Sequence, residues 1–180
     1  MDSASMDKAD TDLVVLVDEN DVQRGTAPKL EVHRTGALHR AVSVFLFNDA
    51  RALLLQRRAR TKYHCAGLWS NTCCGHPRPG ETPLDAAHRR LAQELGIACD
   101  VFPGIRFQYS APVGNGLVEN EVDHVFFGYY SGDPVPVASE VEEVRWRDMD
   151  ALLADIARSP HEYTPWLGIA LRLLDRRGIP

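Results

Sequence analysis

The apolar positions of the chain run in short stretches of period two through its middle, with helical spacing in three places. Leu13–Val17 is apolar and β-branched and reads as a strand, followed by a turn and a short return over residues 18–26. Residues 41–47, AVSVFLF, read as a buried strand. Asn48-Asp49-Ala50 makes a hairpin turn after it, and residues 53–56 form the return. Further strands are expected over 107–110, 122–130 and 143–146. The clearest helix opens at Thr82-Pro83, with threonine as N-cap, proline at the first helical position and Asp85 in the first turn. Its apolar stripe is Leu84, Ala87, Leu91 and Leu95, and Gly96 ends it. Two more helices, roughly 148–158 and 164–177, close the chain. Strands without a regular strand–helix alternation predict an α+β fold, a mixed β-sheet core flanked by helices.

Composition narrows this picture. A chain of 180 residues with 44% hydrophobic residues can bury a full core, and a single domain over 11–180 is expected behind an acidic, flexible tail at 1–10. The formal charge of −5 gives no basic stripe for nucleic acid. No run approaches the ~18 apolar residues of a spanning helix, so a cytoplasmic protein without membrane insertion is the expectation. The four cysteines, Cys65, Cys73, Cys74 and Cys99, contain no CxxC pair and read as reduced thiols, with Cys65 and Cys99 as packing residues.

The candidate chemistry gathers around residues 71–81, NTCCGHPRPGE. If this stretch is extended, Cys73 and Cys74 point to opposite faces, one for packing and one for chemistry. His33, His39 and His76 offer three imidazoles that suit a divalent first-row metal. Glu119 and Glu121 in VENEV share a strand face, either as a cation-holding pair or as a solvated edge. His64, His88, His124 and His161 lack such company and read as surface or core residues. Lys29, Arg58, Lys62 and Arg90 are ordinary surface charges one by one; together they would suit a diphosphate.

From Gly75 the chain resembles the Nudix box, with Gly75, Glu81, Arg89, Leu91, Glu94, Gly96 and Ile97 at the family's spacing. Arg90 and Gln93 stand where that motif has glutamates, so the carboxylate cluster of a Nudix pyrophosphohydrolase, the alternative reading, is depleted. The segments LHRAVSVFLFN, RRARTK, LWSNTCCGHPRPGE, FQY, VENEV and TPW extend the resemblance to type 1 isopentenyl-diphosphate isomerase, over roughly 28–166. That resemblance implies reversible isomerisation of isopentenyl and dimethylallyl diphosphates through a tertiary carbocation, by an enzyme of isoprenoid biosynthesis that acts as a monomer or weak dimer. Cys74 and Glu121 match the proton carriers, Tyr109 the hydrogen-bond partner of Glu121, and Trp166 an aromatic facing the cation. His33, His39, His76, Glu119 and Glu121 match the ligands of a Mn2+ or Zn2+ site. Glu94 and the backbone oxygen of Cys74 match a Mg2+ site on the diphosphate, and Lys29, Arg58, Lys62 and Arg90 match its cationic contacts.

Overall fold

A computed structural model describes residues 12–175. The expected tail at 1–10 and the last residues of the expected C-terminal helix lie outside them. The strands are β1 (Leu13–Val17), β2 (Gln23–Pro28), β3 (His39–Phe47), β4 (Leu53–Arg58), β5 (Trp69–Ser70), β6 (Cys73–Gly75), β7 (Val101–Pro112), β8 (Val118–Tyr129) and β9 (Val141–Arg147). The helices are α1 (Lys29–Thr35), α2 (Pro83–Leu95), α3 (Met149–Arg158) and α4 (Pro165–Asp175). All nine strands belong to one mixed sheet, and the fold is α+β as expected. None of the described helices is long and apolar enough to cross a membrane.

β3 is the hub. It pairs in parallel with β8 from His39↔Glu121 to Phe47↔Tyr129, and antiparallel with β6 at Val42↔Gly75, Ser43↔Cys74 and Val44↔Cys73. Its alternation splits the core into two layers. Val42, Val44 and Leu46 face α2, packing with Cys73, Ala86, Ala87, Leu91, Leu95 and Phe126. Phe45 and Phe47 face α3 and α4, with Val125, Phe127, Leu152, Leu167 and Leu171.

α2 forms where the cap signals put it. The Thr82 hydroxyl accepts from the Asp85 amide at 3.1 Å, and Gly96 closes the helix at φ +63°. Leu84 departs from the expected stripe: in the first turn of α2 it is 39% exposed, while Ala87, Leu91 and Leu95 are fully buried. Two strands also run longer than their apolar pattern. β7 begins six residues before Phe107, and β8 begins at Val118, so VENEV lies inside it. Exposed and charged residues interrupt the alternation there, and cross-strand pairing of β7 with β8 supplies the order. α1, unmarked in the sequence, closes on Gly36 at φ +67°.

Between β8 and β9 the chain is fastened to its surroundings. Val135 N donates to Leu95 O at 2.7 Å, Val137 N to Glu94 O at 2.9 Å and Ala59 N to Glu140 O at 3.0 Å. The Glu140 carboxylate accepts from Lys62 Nζ and, at 2.9 Å, from Arg90 Nη2. Burial pushes its pKa up, but Lys62 and Arg90 outweigh that and bring it from 4.5 down to about 2.

Leu91→Ala is expected to lower the unfolding free energy by about 2–5 kcal/mol, whereas Leu84→Ala should change it by less than ~0.5 kcal/mol; urea denaturation of both variants measures the contrast. The depressed Glu140 pKa means that its ion pairs stabilise fully above pH 4.5 and are lost as the pH falls towards 2. With the side chain 27% exposed, water screens the pairs to about 1–2 kcal/mol. Glu140→Gln should therefore flatten the acid limb of stability below pH 4.5 by that amount, read by thermal melts across pH 2–6.

Candidate metal and diphosphate site

The site lies on the face of the sheet that α4 covers, at the end where β3 and β8 begin. Period-two alternation along β8 puts Glu119, Glu121 and Asp123 on the same side as Val125 and Phe127. His39 enters beside Glu121 through the parallel register. Cys74 enters opposite Ser43 through β6, and its neighbour Cys73 turns into the layer under α2. Cys74 instead packs with Tyr109, Trp166 and Tyr63.

Buried side-chain hydrogen bonds fix the segment carrying Cys74. Asn71 Nδ2 donates to Val44 O at 3.1 Å and to Cys73 O at 2.8 Å. Trp166 Nε1 donates to Ser70 Oγ at 2.9 Å and to Asn71 Oδ1 at 3.2 Å. The residues just before the double cysteine thus lock both the thiol segment and the indole. The Arg58 guanidinium lies 5.4 Å from the centre of the Trp166 ring.

The three histidines converge. His33 Nδ1 is 2.6 Å from Lys29 O, and His39 Nδ1 is 2.9 Å from Ala37 O. A carbonyl only accepts, so each Nδ1 carries a proton and each Nε2 is the atom turned inward. His39 Nε2 stands 3.2 Å from His76 Nε2, and His33 Nε2 stands 2.8 Å from Glu119 Oε2. Those last two atoms are buried and make no hydrogen bond despite their closeness. Lone pairs and a carboxylate gathered away from water are costly unless a cation or a shared proton sits among them. His33, His39, His76 and Glu119 each present one ligand atom, all within 4.8 Å of one another. This donor set of imidazoles and carboxylate fits a divalent metal. Glu121 is not one of these four, but its Oε1 stands beside them, at 2.9 Å from His76 Nε2 and 3.5 Å from His39 Nε2.

Charge states follow the surroundings. Burial pushes the Cys74 thiol up to about 12, keeping it protonated. Burial and Glu119 push Glu121 upward too, but hydrogen bonds to His39 and His76 outweigh them and hold it below the usual carboxylate value. The other oxygen of Glu121 accepts from Tyr109 OH at 2.5 Å. Asp123 differs: burial and the neighbouring Glu121 raise it well above its usual value, and Ser43 Oγ donates to it at 2.8 Å.

The four cations gather on the adjoining wall. Lys29 is drawn down to about 8, by burial first and then by the nearby charges of Arg90, Lys62 and Arg58. Arg90 also donates from Nη2 to Glu94 Oε1 at 2.6 Å, and Glu94 is buried and held from below by Gln56 Nε2 at 2.6 Å. Glu81, the other surviving carboxylate of the box, is not in this cluster: Arg89 binds both its oxygens, at 2.7 and 2.8 Å.

One expectation needs correction and two residues were missed. His64 is a buried residue, one of its two expected places, but it does have acidic company: its Nε2 lies 3.2 Å from Glu119 Oε1. Nothing in a lone histidine after Lys62-Tyr63 marks it, because the turn after β4 brings it there. Asp123 was legible in principle, as the next residue on the face of Glu119 and Glu121. Glu140, whose partners Lys62 and Arg90 are 78 and 50 positions away, carried no signal.

The NUDIX domain family matches residues 37–167. Isopentenyl-diphosphate Delta-isomerase 1 of Aromatoleum aromaticum is 54% identical over 156 residues, covering 87% of this chain and 88% of that protein. The Isopentenyl-diphosphate Delta-isomerase of Pectobacterium atrosepticum is 46% identical over 153 residues, covering 85% and 86%. In fold, the chain is similar to the crystal structure of DR0079 from Deinococcus radiodurans, with TM-score 0.76, 21% identity and coverage of 89% and 97%. It is also similar to the MutT protein of Methanosarcina mazei, with TM-score 0.64, 21% identity and coverage of 78% and 94%. The likeness to the solved structures shows the fold alone; the NUDIX match and the near relatives together show that the chain belongs to the isopentenyl-diphosphate Delta-isomerases of the NUDIX family.

Proposed function

We propose that this chain interconverts isopentenyl and dimethylallyl diphosphates as a cytoplasmic isomerase, in a single domain over 11–180 that acts as a monomer or weak dimer. The observation that carries the reading is the arrival of Cys74 and Glu121 on one sheet face beneath Trp166, the thiol with its proton and the carboxylate without one. Such a pair gives one proton and takes one. That is the balance of an alkene transposition, in which a proton adds to one carbon and another leaves a different carbon. Tyr109 orients the Glu121 carboxylate. The Trp166 ring, locked through Ser70 and Asn71, offers its face to a tertiary carbocation. Tyr109, Ala111, Val113 and Leu117 line the same cluster and keep water from the cation.

His33, His39, His76, Glu119 and Glu121 would hold Mn2+ or Zn2+, and Glu94 with the backbone oxygen of Cys74 would hold the Mg2+ of the substrate diphosphate. When bound, these ions neutralise carboxylate and phosphate charge. Lys29, Arg58, Lys62 and Arg90 would bind the diphosphate, the arginines through paired donors and the lysines as point charges.

Metal-loaded protein given isopentenyl diphosphate should form dimethylallyl diphosphate, followed by proton NMR, without releasing phosphate from nucleoside diphosphate derivatives. Phosphate release without isomerisation would support the pyrophosphohydrolase instead. Cys74→Ala should lower turnover at least about 10²-fold while still binding metal, measured by elemental analysis after gel filtration. Stripping with a chelator should abolish turnover, and Mn2+ or Zn2+ with Mg2+ should restore it; retained activity in stripped protein would argue against the metal requirement.

A further inference from the structure

Lys29, Arg58, Lys62 and Arg90 share one wall of the site and repel one another; the Lys29 ammonium is disfavoured by burial first and then by the other three. Lys62, long and flexible, loses rotamer freedom when it is held in place, so it needs a partner to keep its ammonium on that wall. Glu140 supplies the partner. One oxygen, Oε2, accepts from both Lys62 Nζ and Arg90 Nη2, drawing together two groups that would otherwise separate.

Glu140 itself is tied down. Its amide donates to Val137 O at 2.8 Å, and its carbonyl accepts from Ala59 N, three residues before Lys62. Val137 N reaches Glu94 O and Val135 N reaches Leu95 O, just beyond Arg90 on α2. The loop before β9 is thus stitched to both segments that carry the cations. Nor does its carboxylate exhaust their donors. An ammonium has three N–H bonds, and Arg90 Nη1 faces only Gln93 Oε1, at 3.4 Å.

We infer that Glu140 is a positioning residue of the diphosphate subsite: it holds Lys62 and Arg90 convergent before substrate arrives, so that their remaining donors meet the phosphate oxygens ready-aligned. It acts through these two cations and does not touch the reacting carbons. The inference rests on the isomerase reading for the identity of the diphosphate, and on geometry for the clamp.

The test uses the full-length, metal-loaded protein with two readouts, calorimetric binding of inorganic pyrophosphate with Mg2+ and steady-state isomerisation. Glu140→Gln is expected to weaken pyrophosphate binding and raise KM by about tenfold, with kcat within about twofold. In a Lys62→Ala background the same change should cost less than about threefold, because its partner is already gone. Unchanged or tighter pyrophosphate binding in Glu140→Gln would overturn the proposal, since a carboxylate that merely competes for the cations would release them. An equal loss in both backgrounds would overturn it as well. If Glu140→Gln does not fold, Glu140→Asp, which draws the charge back by one methylene, should show the same loss; full affinity there overturns the proposal. Wild-type protein that binds pyrophosphate with this dependence on Glu140 yet isomerises nothing would sink the isomerase reading and leave the clamp standing.

Discussion

The parallel register between β3 and β8 is the constraint on which the rest of the molecule depends. It sets His39 beside Glu121 at one end and Phe47 beside Tyr129 at the other. One face of β8 therefore changes character along its length, from Glu119, Glu121 and Asp123 to Val125 and Phe127. The apolar half anchors the sheet under α3 and α4; the acidic half is carried into the interior by the same pairing. A slip by one residue would turn the aromatic core outward and the carboxylates into the layer beneath α2. Core packing thus enforces a register that also places buried carboxylates, and those carboxylates impose a cost that a cation, a proton or hydrogen bonds must offset.

Two unremarkable carbonyls shape the metal end. Lys29 O and Ala37 O fix a proton on Nδ1 of His33 and of His39, which turns both Nε2 atoms towards a shared centre. Lys29 is also one of the four cations gathered on the adjoining wall, so α1 joins the two halves of the site: its backbone aims the His33 ring and its side chain stands among the cations.

Much of this was readable from sequence, for a physical reason in each case. α2 announced itself through Thr82, Pro83 and Gly96, because capping is local. The shared face of Glu119 and Glu121 followed from strand alternation, which is local as well. The opposite faces of Cys73 and Cys74 followed from the same rule. What escaped depends on chain reversals. His64 reaches Glu119 because the segment after β4 turns back over the sheet edge, and Glu140 reaches Lys62 and Arg90 because an irregular loop is fastened at both sides. Leu84 failed for a related reason: helical periodicity says which side of α2 is apolar, not how much of that side the rest of the chain covers.

The exchange of acid for base in α2 shows how such a scaffold changes its ligand. The Nudix box has a glutamate where Arg90 stands. On that turn Arg90 does not leave the acidic cluster; it binds Glu94, the box carboxylate that remains beside it, and Glu140 from outside the box. A second glutamate at that position would add to the local negative charge and favour another metal ion. A guanidinium instead cancels one carboxylate and keeps Nη1, which faces only Gln93 Oε1 at 3.4 Å, as a further donor, which favours an anion. The helix, its caps and its packing on β3 are unaffected, because the position lies on the rim of the helix and not in its apolar stripe. The family fold therefore tolerates the reversal of charge: on the same backbone a cation stands where the box has an acid, and the proposed hold on a diphosphate rests on that exchange.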